Sequence, residues 1–414
     1  MDEKLRECIE AVSRVVTEEG IAVYYQALIS LESKGVVGFE AFSRGVDREG
    51  NTVAGPGYLF NELLPLKAQQ RVEMLCLKKS LESFLPINES YPEMLLFLNV
   101  NSTVYNSEKQ AGPSPADTVN EFSLNPRIVV FEFDVSQLKK SVPLKLIRSL
   151  QKQGFRISMD NIDGSMQCRE LLLRVKPDFA KLGRKLYDEV ERSRYKFDLV
   201  KGAALCLKEV EALAIVKGVE SEAEAIALAE AGVVLQQGYF YSENGGEGEK
   251  SESFQDKVAR INSLYRGYLS KKKRGAQERF RNFHQVLKAG MTKLQQDDSG
   301  SANWFIEDLA KKTPGLVSIF VLNSAGKQVT KRVLGQDADF IGKYIEASAE
   351  GSDHSHEDYY MQLNSGFEKA AGCRAVSAFS RHRVCYMAGF FYQGGRRGAI
   401  LVIEYLDSNI KKSD

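Results

Sequence analysis

From Ile21 to about Ser242, short apolar runs with strand character alternate with amphipathic segments of helical period. The strand candidates are IAVYYQALI, MLLFLNV, RIVVFEF, FRISMD, PDFAKLG, ALAIVKGVE and VVLQQGYFY. Between them lie stretches such as Leu144 to Gln153 and Glu222 to Ala231. Strands that alternate with helices over such a length build an α/β fold around a parallel sheet, either closed into a barrel or doubly wound.

At 414 residues the chain exceeds one ordinary domain, so further domains follow the alternating region. The polar stretch ENGGEGEKSES (Glu243 to Ser253) breaks the rhythm. Beyond it Phe254, Val258, Ile261, Leu264, Tyr265, Tyr268 and Leu269 recur at helical spacing, as do Phe280, Phe283, Val286, Leu287, Met291 and Leu294. This predicts a long helical connector, punctuated by QQDDSGS. Its apolar stripe is either a dimer seam or a face packed on the barrel, and its SKKKR run (Ser270 to Arg274) reads as a solvated face.

The remainder reads as a small α+β unit. LVSIFVLNSAGKQVTKRVL has the pattern of two strands around a polar turn, and VCYMAGFFYQGGRRGAILVIEYL that of a hairpin turning on QGGRRG. Trp304 is assigned to its core. The segment DHSHED, with His354 and His356 among acids, reads as a flexible polar loop rather than a metal site. The expected divisions are 1–245, 246–298 and 299–414.

Lysine and arginine number 56 against 55 acids, a formal net charge of +1, which gives no electrostatic basis for nucleic acid or a membrane surface as the main partner. No apolar run approaches bilayer length, and MDEKLRECIEAVSRVV is a charged amphipathic helix rather than a signal peptide; the expected location is cytoplasmic. Cys8, Cys76, Cys168, Cys206, Cys373 and Cys385 are scattered without a CxxC pair, so they are expected to be buried free thiols.

Polar residues collect where each barrel strand should end: Gln26; Glu40 and Arg44 in GFEAFSRG; Asn99 in FLNVN; Glu132 in VFEFD; Asp160 in ISMDN; Lys181 in FAKLG; Glu220 in KGVES; and Gln237 in QQGYF. A single strand-end acid ordinarily caps a helix or faces solvent. Repetition at nearly every strand end points instead to one shared site, because the C-terminal strand ends of a barrel form one rim. Three carboxylates and an amide oxygen there are hard donors suited to magnesium, manganese or calcium.

These motifs, in this order and spacing, resemble the EAL-domain family: modified (β/α) barrels that hydrolyse the bacterial second messenger cyclic di-GMP with paired divalent metals. EAFSRG stands at the naming motif, with Phe42 in place of the usual leucine. FLNVN, VVFEF, GFRISMDN, PDFAKLGR, GVESEAEA and QGYFYS follow. The resemblance implies a modified (β/α)8 barrel in a bacterial protein. The helix and small α+β unit beyond it resemble YkuI-type members, whose C-terminal module is PAS- or Cache-like. By position, it makes Glu40, Asn99, Glu132 and Asp160 the ligands of a first metal and Lys181 the lysine near the attacking water. Lys181 and Glu220 take vestigial catalytic places, and Gln26, Arg44 and Gln237 match residues that hold the dinucleotide. The expected ligand-binding set is Gln26, Glu40, Phe42, Arg44, Asn99, Asp160, Asn161, Lys181, Lys217 and Gln237.

The departures from that pattern decide the expected function. A second glutamate after Glu132 is replaced by Val135, the second of paired aspartates by Asn161, the aspartate after Lys181 by Gly183, and a glutamate by Lys217. Two divalent ions about 3.5 to 4 Å apart require a surplus of carboxylates. The swing here is roughly five charge units, and unit charges at about 4 Å interact by about 1 to 4 kcal/mol. A second metal should not bind. Lys217 then stands as a fixed cation in place of metal, pairing with Glu40, Glu132 or a ligand phosphate, or simply satisfying the leftover glutamates.

The expectation is a catalytically inactive receptor for cyclic di-GMP, needing no cofactor or at most one Mg2+, Mn2+ or Ca2+. It would act as a homodimer that signals through the connector and C-terminal module to a downstream protein. The alternatives are a weak single-metal phosphodiesterase giving pGpG, and a scaffold that binds no nucleotide.

Overall fold

The computed structural model describes residues 3–105, 114–241, 251–296, 302–336, 350–374, 384–393 and 396–406. The chain forms two compact units, Met1–Gly267 and Tyr268–Asp414. A helix, Ser251–Gln296, carries the division between them. Most of ENGGEGEKSES and QQDDSGS lies outside the described residues.

The first unit is a closed eight-stranded barrel of β1 (Ile21–Ser30), β2 (Gly35–Val46), β4 (Leu95–Val100), β5 (Val129–Asp134), β6 (Arg156–Ile162), β7 (Phe179–Leu182), β8 (Leu213–Lys217) and β9 (Leu235–Gln237). A short β3 (Thr52–Ala54) flanks β2. β1 runs antiparallel to both β2 and β9, and the pairings from β2 through β4 to β9 are parallel. Helices cover the outside, so strands such as Val129–Phe133 are buried on both faces and read as nearly continuous apolar runs.

The interior is layered. Leu28, Phe97, Val130, Phe179, Ile215 and Leu235 form an apolar plug. Side chains two positions along a strand point the same way. Two residues beyond the plug toward the rim therefore stand Gln26 on the antiparallel β1, and Asn99, Glu132, Lys181, Lys217 and Gln237 on the others. The exits of β8 and β9 press together: a Cβ on Gly238 would fall 2.1 Å from Val219 N, and Val219 N–H donates to Gln237 O at 3.0 Å.

The second unit holds a five-stranded antiparallel sheet in the order β11 (Val333–Leu334), β10 (Leu316–Asn323), β14 (Arg396–Leu406), β13 (Val384–Gln393) and β12 (Lys369–Arg374). Ile319, Val321, Leu401 and Ile403 face Phe283, Leu287, Leu294 and Ile306 on helices; Phe320, Leu322, Ile400 and Val402 face Tyr359 and Leu363. The alternation shows both faces covered.

Several expectations change here. The arm after the NSAGK turn pairs as a strand only at Val333–Leu334, because the Thr330 hydroxyl accepts the Val321 N–H at 2.9 Å and Gln328 is buried. Trp304 is 68% exposed rather than core: its helix, Ala302–Lys312, buries Ile306 and Ala310, and Trp304 lies on the other side. His354 is buried rather than in a flexible polar loop. Its Nδ1 meets the Tyr359 hydroxyl at 2.7 Å, its Nε2 meets Gln328 Oε1 at 3.0 Å, and the Phe320 ring lies beside it. Cys373 and Cys385 form a disulfide, since β12 and β13 pair in a register that sets them opposite, and Cys206 is exposed. Cys8, Cys76 and Cys168 are buried free thiols. The SKKKR residues are exposed. Among the described residues no helix is long and apolar enough to cross a membrane.

Candidate functional site

The rim residues form two layers. In the lower one, Lys181 is 1% exposed, and its ammonium stands 2.5 Å from Glu40 Oε2 and 2.6 Å from Glu132 Oε2, over the Phe97 ring. Gln237 Nε2 donates to Glu40 Oε2 at 2.9 Å and to Gln26 Oε1 at 2.8 Å, and Asn99 Nδ2 donates to Glu40 Oε1 at 3.1 Å. Five strands thus share one cluster with β1, in which Gln26, Glu40, Glu132, Lys181 and Gln237 are buried and Asn99 is exposed. Among the described residues neither Glu132 oxygen has a well-formed hydrogen-bond partner, and the Lys181 ammonium is its near polar contact.

Burial works against ionisation of Glu40, but Lys181 and the bonds from Asn99 and Gln237 outweigh it and hold that carboxyl below its usual range. For Glu132 burial wins, aided by the charges of Glu40 and Asp160, and pushes the carboxyl up to about 8 despite Lys181. Burial alone would lower the Lys181 ammonium, yet the surrounding acids raise it. Two glutamates at one ammonium are tolerated because one of them holds a proton near neutrality.

In the upper layer the Lys217 ammonium pairs with Asp160 Oδ2. Its partner is thus neither Glu40 nor Glu132, which Lys181 already occupies. Burial raises the Asp160 carboxyl even against Lys181 and Lys217. Asn161 adopts φ +63°, a left-handed conformation that asparagine tolerates. Its N–H donates to Asp160 Oδ1 at 2.8 Å and its amide to Asp134, where an aspartate would add a third charge. Val135 starts the helix Val135–Lys140 and is buried in the apolar core. Gly183 sits tightly, since a Cβ there would lie 3.2 Å from Ile162 O.

A cleft of about 600 Å³ opens above. Gln26, Arg44 and Glu220, singled out by the strand-end pattern, line it with Phe42, Asn161 and Lys217, singled out by comparison with the family motifs. So do Tyr24, Tyr25, Thr52, Arg184, Gly218 and Tyr239, which that pattern passed over. Arg184 and Tyr239 lie inside the quoted runs PDFAKLGR and QGYFYS, and Tyr24 shares the period of Gln26, so the signal was proximity to a named strand end. A second hollow of about 380 Å³ shares Phe42 and Arg44 and reaches Glu73, Ser80 and Asn99. Arg44, Arg184 and Lys217 against Glu220 make the charged lining of the larger cleft positive, and its aromatic side chains offer faces to a planar base.

The oxygens of Glu40, Asn99, Glu132 and Asp160 suit a hard divalent cation in kind, but their arrangement does not fit one. Lys181 stands between the two glutamates and Lys217 on Asp160. Among the described residues no group of three or more His, Cys, Asp or Glu side chains is disposed to hold a metal. A divalent ion at this place would have to displace an ammonium group.

Comparison with known proteins bears on this geometry. The chain is 21% identical over 340 residues to the uncharacterized EAL-domain containing protein YkuI of Bacillus subtilis, covering 78% of this chain and 79% of that one. It is 23% identical over 234 residues to the probable cyclic di-GMP phosphodiesterase PdeB of Escherichia coli, covering 55% of this chain and 43% of that protein. The crystal structure of B. subtilis YkuI, in complex with cyclic di-GMP and calcium, superposes with a TM-score of 0.73 at 17% identity, over 96% of this chain and 99% of that one, a likeness of fold. The EAL domain family profile matches residues 9–244, the barrel whose rim is described above, and the chain belongs to the EAL-domain family.

Proposed function

We propose that the rim is a receptor site for cyclic di-GMP in which fixed cations stand where the family's hydrolytic members place metal. One observation carries this reading: the Lys217 ammonium is ion-paired to Asp160 at the mouth of the positive cleft. A dinucleotide with two phosphates meets Arg44 and Lys217 there without a metal to neutralise it, and its bases find the faces of Phe42 and the cleft tyrosines. The buried Lys181 cluster supplies the rigid floor, and Glu220, whose side chain is 69% exposed, lines the cleft. Nucleotide binding would pass through the helix Ser251–Gln296 to the C-terminal unit, read as a PAS/Cache-like module, and so to a downstream protein in the cytoplasm, with the chain acting as a homodimer. The covered antiparallel sheet of that unit supports the module's assignment.

Calorimetric titration of cyclic di-GMP in excess EDTA, repeated with magnesium, tests the reading. Micromolar or tighter binding that ignores the chelator, and that weakens in Lys217→Glu, is the expected result. Binding that requires magnesium removes it.

A second reading, a weak phosphodiesterase giving pGpG, is favoured by one observation: Glu40, Asn99, Glu132 and Asp160 all stand at the rim together. Appearance of pGpG with magnesium or manganese, abolished by Glu40→Gln, would establish it.

A further inference from the structure

We propose that Arg184 is a second phosphate-binding cation of the cleft, anchored by Glu224 and set beside Lys217. The inference rests on the reading of the rim as an anion site and extends it to a residue outside the strand-end pattern.

Arg184 opens the short helix Arg184–Tyr187 directly after β7. One edge of its guanidinium is engaged: Nη1 donates to Gly218 O at 2.7 Å and to Glu224 Oε1. Glu224 is 3% exposed, and its other oxygen accepts the Glu220 N–H at 2.9 Å, so this carboxylate is committed to holding Arg184 and the β8 exit. The guanidinium lies 5.2 Å from the centroid of the Tyr187 ring, whose hydroxyl donates to Lys217 O. The carbonyls of Lys217 and Gly218 are therefore both tied to the 184–187 turn, which holds Arg184 beside the backbone of Lys217.

The opposite edge is differently placed. Nη2 stands 4.0 Å from Oε2 of Glu220, whose side chain is 69% exposed. That separation exceeds a hydrogen bond, and an exposed carboxylate at that range is weakly held. Arg184 itself is 42% exposed and lines the cleft together with Lys217. A planar guanidinium anchored through Nη1 and 42% exposed at the cleft is pre-organised to donate hydrogen bonds to phosphate oxygens. A dinucleotide with two phosphates then has a cation for each: Arg44 on β2, and the Arg184–Lys217 pair across the cleft. Glu220 is the anion that an incoming phosphate displaces.

This assigns opposite signs to two neighbours. Full-length chain is titrated in EDTA with cyclic di-GMP, with inorganic pyrophosphate as a base-free anion, and with guanosine as an uncharged base. Arg184→Gln should weaken both phosphate ligands about tenfold or more and reduce the salt dependence of their binding, with guanosine affinity unchanged. Arg184→Lys should recover part of the loss, and Glu220→Gln should tighten the phosphate ligands by about threefold. If Arg184→Gln does not fold, the Arg184→Lys and Glu220→Gln titrations decide. The proposal is overturned if Arg184→Gln lowers guanosine and cyclic di-GMP affinity alike, if it changes neither, or if Glu220→Gln weakens binding; Arg184 would then only brace the β8 exit. Pyrophosphate bound through Arg184 without cyclic di-GMP would keep this site and remove the dinucleotide reading. A wild-type chain that binds neither phosphate ligand removes both.

Discussion

Lys181 and Lys217 leave adjacent strands at the same end of the barrel, yet Lys181 is 1% exposed between two glutamates while Lys217, 32% exposed, faces one aspartate at the mouth of the cleft. The difference is one of desolvation. A cation deep in the barrel has lost its water and depends on its acids, and the acids depend on it. A cation at the mouth keeps part of its hydration, so it can exchange a carboxylate for a phosphate at small cost. The same residue type on adjacent strands is thus a fixed part of the interior in one case and, on the proposed reading, an exchangeable ligand group in the other.

The largest test of this contrast is Lys181→Met, which leaves Glu40 and Glu132 without their cation. A loss of about 3 to 5 kcal/mol in urea unfolding is expected. Because Glu132 holds its proton up to about 8, the loss should be greater at about pH 8.5 than at about pH 6. A loss below about 1 kcal/mol would erase the distinction between the two lysines.

Glu73 sharpens the comparison from the other side, as a buried acid with no cation paired to it among the described residues. It accepts the Asn101 N–H at 2.9 Å, and burial pushes its carboxyl up to about 7. The folded chain keeps a proton that the unfolded chain releases above about 4.5, so this group makes the fold lose stability as pH rises from about 4.5 to about 7. The full span is worth about 3 kcal/mol. Denaturation of Glu73→Gln at about pH 5 and about pH 7.5 should show a flatter dependence than the parent chain. An unchanged slope would place the proton elsewhere.

The smallest effect on stability is expected from Lys217→Met, below about 1 kcal/mol, together with an affinity loss for cyclic di-GMP of about tenfold, or 1.4 kcal/mol. A destabilisation as large as that of Lys181→Met would make Lys217 part of the interior.

Much of this was readable along the chain. Asn99, Glu132, Lys181 and Gln237 were legible as polar strand ends, and Lys217 as a departure from the family motif; the structure sets all five two positions beyond the apolar plug of Phe97, Val130, Phe179, Ile215 and Leu235. Pairing was not readable. That Lys217 meets Asp160 depends on how far each strand extends and which way a long side chain turns. Arg184 escaped notice because it lies past the strand end, where a turn rather than a period sets its direction.

The second unit repeats the lesson. Alternation within β10 and β14 foretold a sheet, but the Cys373–Cys385 bond required the register of β12 on β13, and the burial of His354 required Gln328 and Tyr359 to arrive from opposite sides. Sequence alone determined the barrel, its closing polar layer and the family to which the chain belongs, because hydrophobic period and motif order are local properties that survive in one dimension. Only the tertiary structure decided which lysine is interior and which is exposed, which acid keeps its proton, and which cations share the cleft. Desolvation and charge pairing depend on distances between residues far apart in the chain.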